Sequence, residues 1–244
     1  MALRSFSDGA LFAETFGDRP PAVLALHGWG RRGADFKKSL AEIPALAPDL
    51  PGFGATPPPR EVMGAHGYAE AVRSLLGEFD SPPVVVGHSF GGRVAVCLAA
   101  EEPERFGPLV LTGAPLLRIH PVQRPSFAYR LLRSLHRIGV IGDERMEEIR
   151  GRRGSADYRA AEGVMRTILV KVVNESYEEE LGRVRSPVTL LWGAEDREVP
   201  VDVARAAAEA LAGSQVTLEI LDGVGHHVPI EAPDDLRRAV ESVL

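Results

Sequence analysis

The sequence predicts an α/β fold built on a doubly wound, mostly parallel sheet, and three observations carry that prediction. Short runs such as Val23-Leu24-Ala25-Leu26, Val84-Val85-Val86, Leu109-Val110-Leu111 and Val188-Thr189-Leu190-Leu191-Trp192 are apolar with little or no alternation, as strands covered on both faces must be. Segments with apolar residues at helical spacing separate them, and that alternation gives a parallel sheet wrapped by helices. Several runs end in glycine-rich turns, and ligand sites in such sheets gather at the carboxyl ends of the strands.

Composition fits one soluble globular domain: 244 residues, 45% apolar and 25% charged. A net charge of −6 argues against nucleic acid as a partner, because phosphates attract basic surfaces. No stretch approaches the roughly 18 apolar residues of a membrane span. The opening MALRSFSDG lacks the apolar centre of a signal peptide, so the expected location is the cytoplasm. The single cysteine, Cys97, excludes an internal disulfide and falls in the apolar pattern of its helix, which makes it a packing residue.

In chain order, Leu11 to Phe16 reads as an edge strand and Val23 to Leu26 as a central strand ending in His27-Gly28-Trp29-Gly30. Ala34 to Ile43 reads as a short helix, Ala45 to Pro48 as a strand, and Asp49-Leu50-Pro51-Gly52-Phe53-Gly54 as a tight loop. Tyr68 to Phe79 has the spacing of a helix; Val84 to Val86, then Leu109 to Gly113, are the next strands. From Leu117 to Arg183 the rhythm breaks into two amphipathic helical stripes, Phe127-Leu131-Leu135-Ile138 and Tyr158-Ala161-Met165-Ile168-Leu169-Val172, with Ser155 placed to cap the second. The sheet resumes at Val188 to Trp192, followed by a helix from Asp202 to Leu211 and a last strand from Val216 to Leu221. Pro233 and Asp234 open the final helix.

The most informative stretch is Val84 to Ala100, in which a buried strand turns into a helix within Gly87-His88-Ser89-Phe90-Gly91-Gly92. Such a turn lifts Ser89 into a sparsely allowed conformation, and glycines at 87 and 91 remove the side chains that would clash. Unsatisfied amides at the start of the following helix then face any anion formed beside the hydroxyl. An alcohol is a poor nucleophile at neutral pH, so it needs a histidine base, which in turn needs an orienting carboxylate. Asp196 and His226 follow successive strands and supply both, and the order Ser, Asp, His suits the arrangement. Glu195 and His227 are their immediate rivals. His27 is assigned to support its turn and His88 to packing, while His66, His120 and His136 have no assigned role. No metal-ligand spacing and no GxGxxG motif appear, so no cofactor is expected.

The segments HGWG at 27 to 30, DLPGFG at 49 to 54, GHSFGG at 87 to 92, GAEDREVP at 193 to 200 and GVGHHVPIEAP at 223 to 233 resemble the α/β-hydrolase superfamily over nearly the whole core. The resemblance implies a core of residues 1–116 and 184–244 with an inserted helical cap at 117–183. It implies a catalytic triad of Ser89, His226 and Asp196, with the backbone amides of Trp29 and Phe90 as the oxyanion hole. The implied activity is ester hydrolysis through an acyl-serine, with thioesterase, amidase, carbon–carbon hydrolase or a poorly catalytic receptor as alternatives on the same fold. Tyr129, Tyr158 and Met165 are candidates for an apolar acyl pocket. The HGWG turn also resembles pimeloyl-carrier methyl ester esterases. Residues 118 to 153 carry nine Arg against four acidic residues, which reads either as an ordinary solvated face or as a basic surface that steers an acidic or carrier-bound ester through arginines such as Arg130 and Arg133.

Overall fold

In a computed structural model of the chain, the described residues are 2–18, 20–119, 136, 142 and 156–244. Eight strands form one sheet: β1 (Ala2–Phe6), β2 (Leu11–Phe16), β3 (Val23–Leu26), β4 (Ala45–Asp49), β5 (Val84–His88), β6 (Leu109–Thr112), β7 (Val188–Gly193) and β8 (Val216–Leu221). Their spatial order is β1-β2-β4-β3-β5-β6-β7-β8; β3 to β8 run parallel, while β2 is antiparallel to both β1 and β4. The chain leaves β3 towards β4 and then crosses back to β5, so strand order reverses at β3. A crevice opens where neighbouring connections depart in opposite directions, and this is where such sheets bind ligands.

Successive residues of a strand face opposite ways, and the central runs serve two cores at once. Leu24, Leu26, Val85, Leu109, Leu111 and Leu190 pack on the side of the helix Phe90–Glu101, whereas Val23, Ala25, Val84, Val86, Val110 and Leu191 pack on the other. Continuous apolar runs are therefore required here. β8, with every second residue exposed, is a half-covered edge.

Several expected elements differ in detail. The strand Leu11–Phe16 is second from the edge, because Ala2–Phe6 pairs along its outer side through a turn with positive φ at Ser7, Asp8 and Gly9. Only Phe6 of β1 is buried, so no apolar pattern announced it. The Ala34 to Ile43 segment is one 3-10 turn, Gly33–Phe36, and one α-helical turn, Lys37–Leu40. The helix expected at Tyr68 spans Ala65–Arg73 and tightens into a 3-10 turn at Ser74–Glu78. It starts early because Glu175, 110 residues away, accepts the Ala65 amide at 3.1 Å. The second stripe is two helices, Ala156–Ala160 and Gly163–Val172, separated where Gly163 takes φ +51°. The first stripe, with Phe127, Tyr129, Arg130 and Arg133, lies outside the described residues, as do His120 and Ser155.

One buried charge ties these layers together. Arg93, in the first turn of the helix Phe90–Glu101, donates to Pro115 O at 3.1 Å and Val172 O at 2.6 Å, and its guanidinium lies 5.8 Å from the centre of the Tyr177 ring. Val172 O ends the helix Gly163–Val172, so the arginine satisfies a carbonyl that helix cannot satisfy itself. Arg93→Met keeps the apolar stem, leaves Pro115 O without a donor among the described residues and leaves Val172 O with the Glu175 amide at 3.2 Å alone. It is expected to lower the unfolding free energy by about 2–3 kcal/mol in urea denaturation, and a loss below about 0.5 kcal/mol would show that the contacts contribute little.

Candidate active site

Ser89 sits at φ 51° and ψ −114°, outside the helical and strand regions. Three close approaches hold it there. A Cβ on Gly91 would come within 2.1 Å of Leu26 O, and one on Gly87 within 2.6 Å of Gly92 Cα, so the turn closes only over glycine. The Ser89 amide also donates to Thr112 O of the neighbouring strand at 2.8 Å. The hydroxyl is thereby presented at the carboxyl end of β5.

The loops after β7 and β8 bring two more side chains to it. A Cβ on Gly193 would lie 2.2 Å from Gly225 O, a contact that lets the two loops meet backbone to backbone. His226 Nδ1 then lies 2.8 Å from Asp196 Oδ2, and His226 Nε2 lies 3.1 Å from Ser89 Oγ. An ionised carboxylate only accepts, so Nδ1 carries the proton and the Nε2 lone pair faces the serine. Asp196 is itself fixed by the Glu198 and Val199 amides, which donate to Oδ1 at 2.9 and 2.8 Å. Glu195, its rival, is exposed, while Asp196 and His226 are buried. Burial alone would pull the His226 pKa down, but the Asp196 hydrogen bond and charge, with the charges of Glu198 and Glu231, outweigh it and leave a net rise above 6.5.

The His27 turn stands beside the serine because β3 and β5 are paired with Leu26 opposite Gly87. A Cβ on Gly28 would lie 3.2 Å from Ser89 Cβ, which places the Trp29 amide one residue from that contact. Among the described residues no acceptor takes the Trp29 or Phe90 amide. His27 is a strut: Nδ1 donates to Gly28 O at 2.7 Å, Nε2 accepts the Leu50 amide at 2.9 Å, and burial pulls its pKa down to about 4. Asp49 plays the matching part for the next loop, accepting the Gly33 and Ala55 amides, each at 2.8 Å. Sequence reading saw only a tight loop there.

An aromatic wall adjoins this turn. Trp29 packs edge-on against Phe53 and Phe90, with ring centres 4.9 and 5.5 Å apart, and Tyr68 packs on Phe90 at 4.8 Å. Met165 belongs to this wall: its sulfur lies 3.9 Å from Tyr68 Oη and covers Gly52, where a Cβ would come within 2.3 Å of it. Tyr158 lies against Arg166, whose guanidinium is 5.4 Å from its ring centre. Tyr129 lies outside the described residues.

Sequence spacing missed three neighbours of His226. His88 and His227 have ring centres 5.1 and 5.2 Å from it, and Glu198 Oε2 lies 3.7 Å from its Nε2. His88 is held well below the ordinary histidine pKa by burial and then by the charges of His226 and His227. Partial burial and the Glu198 charge raise the Asp157 carboxyl, with both histidines opposing. Only the fold brings residues 88, 157, 198 and 226 together, so no local pattern could have found them.

Residues 23–239 match the alpha/beta hydrolase family. The chain is similar, at 30% identity over 224 residues, to a pimeloyl-[acyl-carrier protein] methyl ester esterase of Chromobacterium violaceum, covering 82% of this chain and 85% of that protein. It is 26% identical over 261 residues to a 2-hydroxy-6-oxononadienedioate/2-hydroxy-6-oxononatrienedioate hydrolase of Cupriavidus pinatubonensis, covering 91% and 86%. Its fold matches the thioesterase domain from the curacin biosynthetic pathway with a TM-score of 0.70 at 20% identity, over 98% of each chain. With nearly the whole core matched, the chain belongs to the alpha/beta hydrolase family.

Proposed function

We propose that this hydrolase cleaves a carboxylic ester through an acyl intermediate on Ser89. The observation that supports this most is the relay in which Asp196 lies 2.8 Å from His226 Nδ1 and Ser89 lies 3.1 Å from His226 Nε2. In the first half-reaction His226 takes the serine proton as Oγ attacks the carbonyl carbon. The displaced electron pair settles on the carbonyl oxygen, where the Trp29 and Phe90 amides receive it. His226 returns the proton to the departing alkoxide, so the carbon–oxygen bond breaks and an alcohol leaves. Water then attacks the acyl carbon, passes its proton through His226 back to Ser89, and the acid departs. Asp196 stays ionised throughout, fixing the tautomer and balancing the transient imidazolium.

Residues 117–183 act as the cap over this site, and Trp29, Phe90, Met165 and Tyr158 contact the acyl chain, joined by Tyr129. Because Glu198 and Asp157 place negative charge beside the histidines, an acidic or carrier-bound end of the substrate points towards the arginine-rich 118 to 153 stretch. The Chromobacterium relative, named for a carrier-bound methyl ester, supports a carrier-bound substrate class. The same relay serves a thioester, an amide or a carbon–carbon bond, and a substrate of each class offered to one preparation ranks them.

A fluorophosphonate probe tests the reading directly. Labelling is expected at Ser89, and its rate is expected to rise with pH. Protonated His226 cannot accept the serine proton, and its raised pKa places the midpoint of that rise above 6.5. Absence of label at Ser89 at pH 8 would overturn the assignment.

A further inference from the structure

The relay uses one of three imidazoles that meet at this end of the sheet. One ring nitrogen from each of His88, His226 and His227 lies within 4.8 Å of those of the other two. The hydrogen bonds around them leave a ring nitrogen of each without its proton, that of His226 facing the Ser89 hydroxyl at 3.1 Å. His88 Nδ1 faces Thr112 O at 3.3 Å and His226 Nδ1 faces Asp196, so both rings carry the proton on Nδ1 and keep Nε2 as an acceptor. His227 Nδ1 is buried and has no hydrogen-bond partner among the described residues. A buried polar atom left unpaired calls for an explanation such as an ion. Glu198, 3.7 Å from His226 Nε2 and largely exposed, can supply a carboxylate oxygen from outside.

We propose that His88, His226 and His227 form a binding site for a divalent transition-metal ion of the zinc class, and that its occupancy takes His226 away from Ser89 and reversibly stops hydrolysis. Neutral imidazoles with an oxygen donor suit zinc, copper or nickel, whereas magnesium and calcium require oxygen ligands. Zinc–nitrogen bonds of about 2.0–2.1 Å require ligand nitrogens about 3.3 Å apart, so the rings close by at most about 1.5 Å. His227 is the ring placed to make that movement by side-chain rotation, since the residue is only partly buried while its backbone stays fixed as the cap of the short helix Val228–Glu231. Once the Nε2 electron pair of His226 is donated to a metal, it cannot accept the serine proton, and the nucleophile loses its base. The binding half of this proposal stands on geometry alone; the inhibitory half rests on the function proposed above.

The experiment separates the two halves. Cobalt(II) titrated into the full chain is expected to give one bound ion per chain with the visible absorption of a low-coordinate site. Ser89→Ala is expected to retain it, and His227→Gln to weaken it at least about tenfold, as is His88→Gln. Should His88→Gln fail to fold, the loop variant His227→Gln still decides. Binding that is unchanged in His227→Gln would overturn the site. In the wild-type chain zinc is expected to block fluorophosphonate labelling at Ser89 and EDTA to restore it, with the half-blocking concentration at least about tenfold higher in His227→Gln. Undiminished labelling with metal bound would overturn the inhibitory role, whereas metal binding without any labelling in the metal-free chain would overturn the proposed hydrolytic mechanism instead.

Discussion

Ser89→Ala is expected to reduce turnover of short p-nitrophenyl esters by about 10⁵–10⁶-fold, because the hydroxyl oxygen is the protein atom that bonds to the acyl group in the proposed cycle. The variant is expected to keep the fold, since among the described residues the Ser89 side chain makes a single hydrogen bond, to His226 Nε2. Stability gives a second readout. A non-glycine residue at φ 51° and ψ −114° is strained by about 1–3 kcal/mol, and alanine inherits that strain while glycine releases it. Ser89→Gly is therefore expected to be as inactive as Ser89→Ala and to unfold about 1 kcal/mol later. Turnover within about tenfold of wild type in either variant would remove Ser89 from the mechanism.

Asp196→Asn is expected to lower kcat by about 10⁴-fold with little change in structure. The Glu198 and Val199 amides donate to Oδ1, and they would hold the amide carbonyl of asparagine in the same place. Its NH2 group then faces His226 Nδ1. A donor there forces the imidazole proton onto Nε2, so the ring presents a hydrogen instead of a lone pair to Ser89. The substitution also removes the hydrogen bond and charge that raise the His226 pKa, and burial, which lowers it, takes over. The pH midpoint of residual activity is expected to fall accordingly, and nitrogen NMR of the histidine ring would report the tautomer. A kcat within tenfold of wild type, or an unmoved midpoint, would show that Asp196 does not orient the base.

The strands and the serine turn were legible along the chain because their causes are local. A short apolar run without alternation, rich in Val, Ile and Leu and bounded by glycine-rich turns, suits a strand buried on both faces, and a serine between glycines at a strand-to-helix junction has its conformation set by immediate neighbours. Asp196 and His226 were singled out by their positions after successive strands and by a family resemblance, and their side chains lie 2.8 Å apart. The competition between His226 and His227 is decided in the fold, by which ring reaches both Asp196 and Ser89.

Other features had no local cause. β1 is a strand because β2 offers it an edge, not because its own residues demand burial. Glu175 sets the start of the helix Ala65–Arg73 from 110 residues away, and Arg93 is a buried arginine among the apolar residues of its helix because two distant carbonyls accept from it. The sequence by itself determined the sheet, its turn and the chemical types at its rim, since backbone sterics and period-two burial act between near neighbours. The tertiary structure alone decided that His88, His226, His227 and Glu198 share one corner, because hydrogen bonds and charge act over a few ångströms in space whatever their separation in the chain.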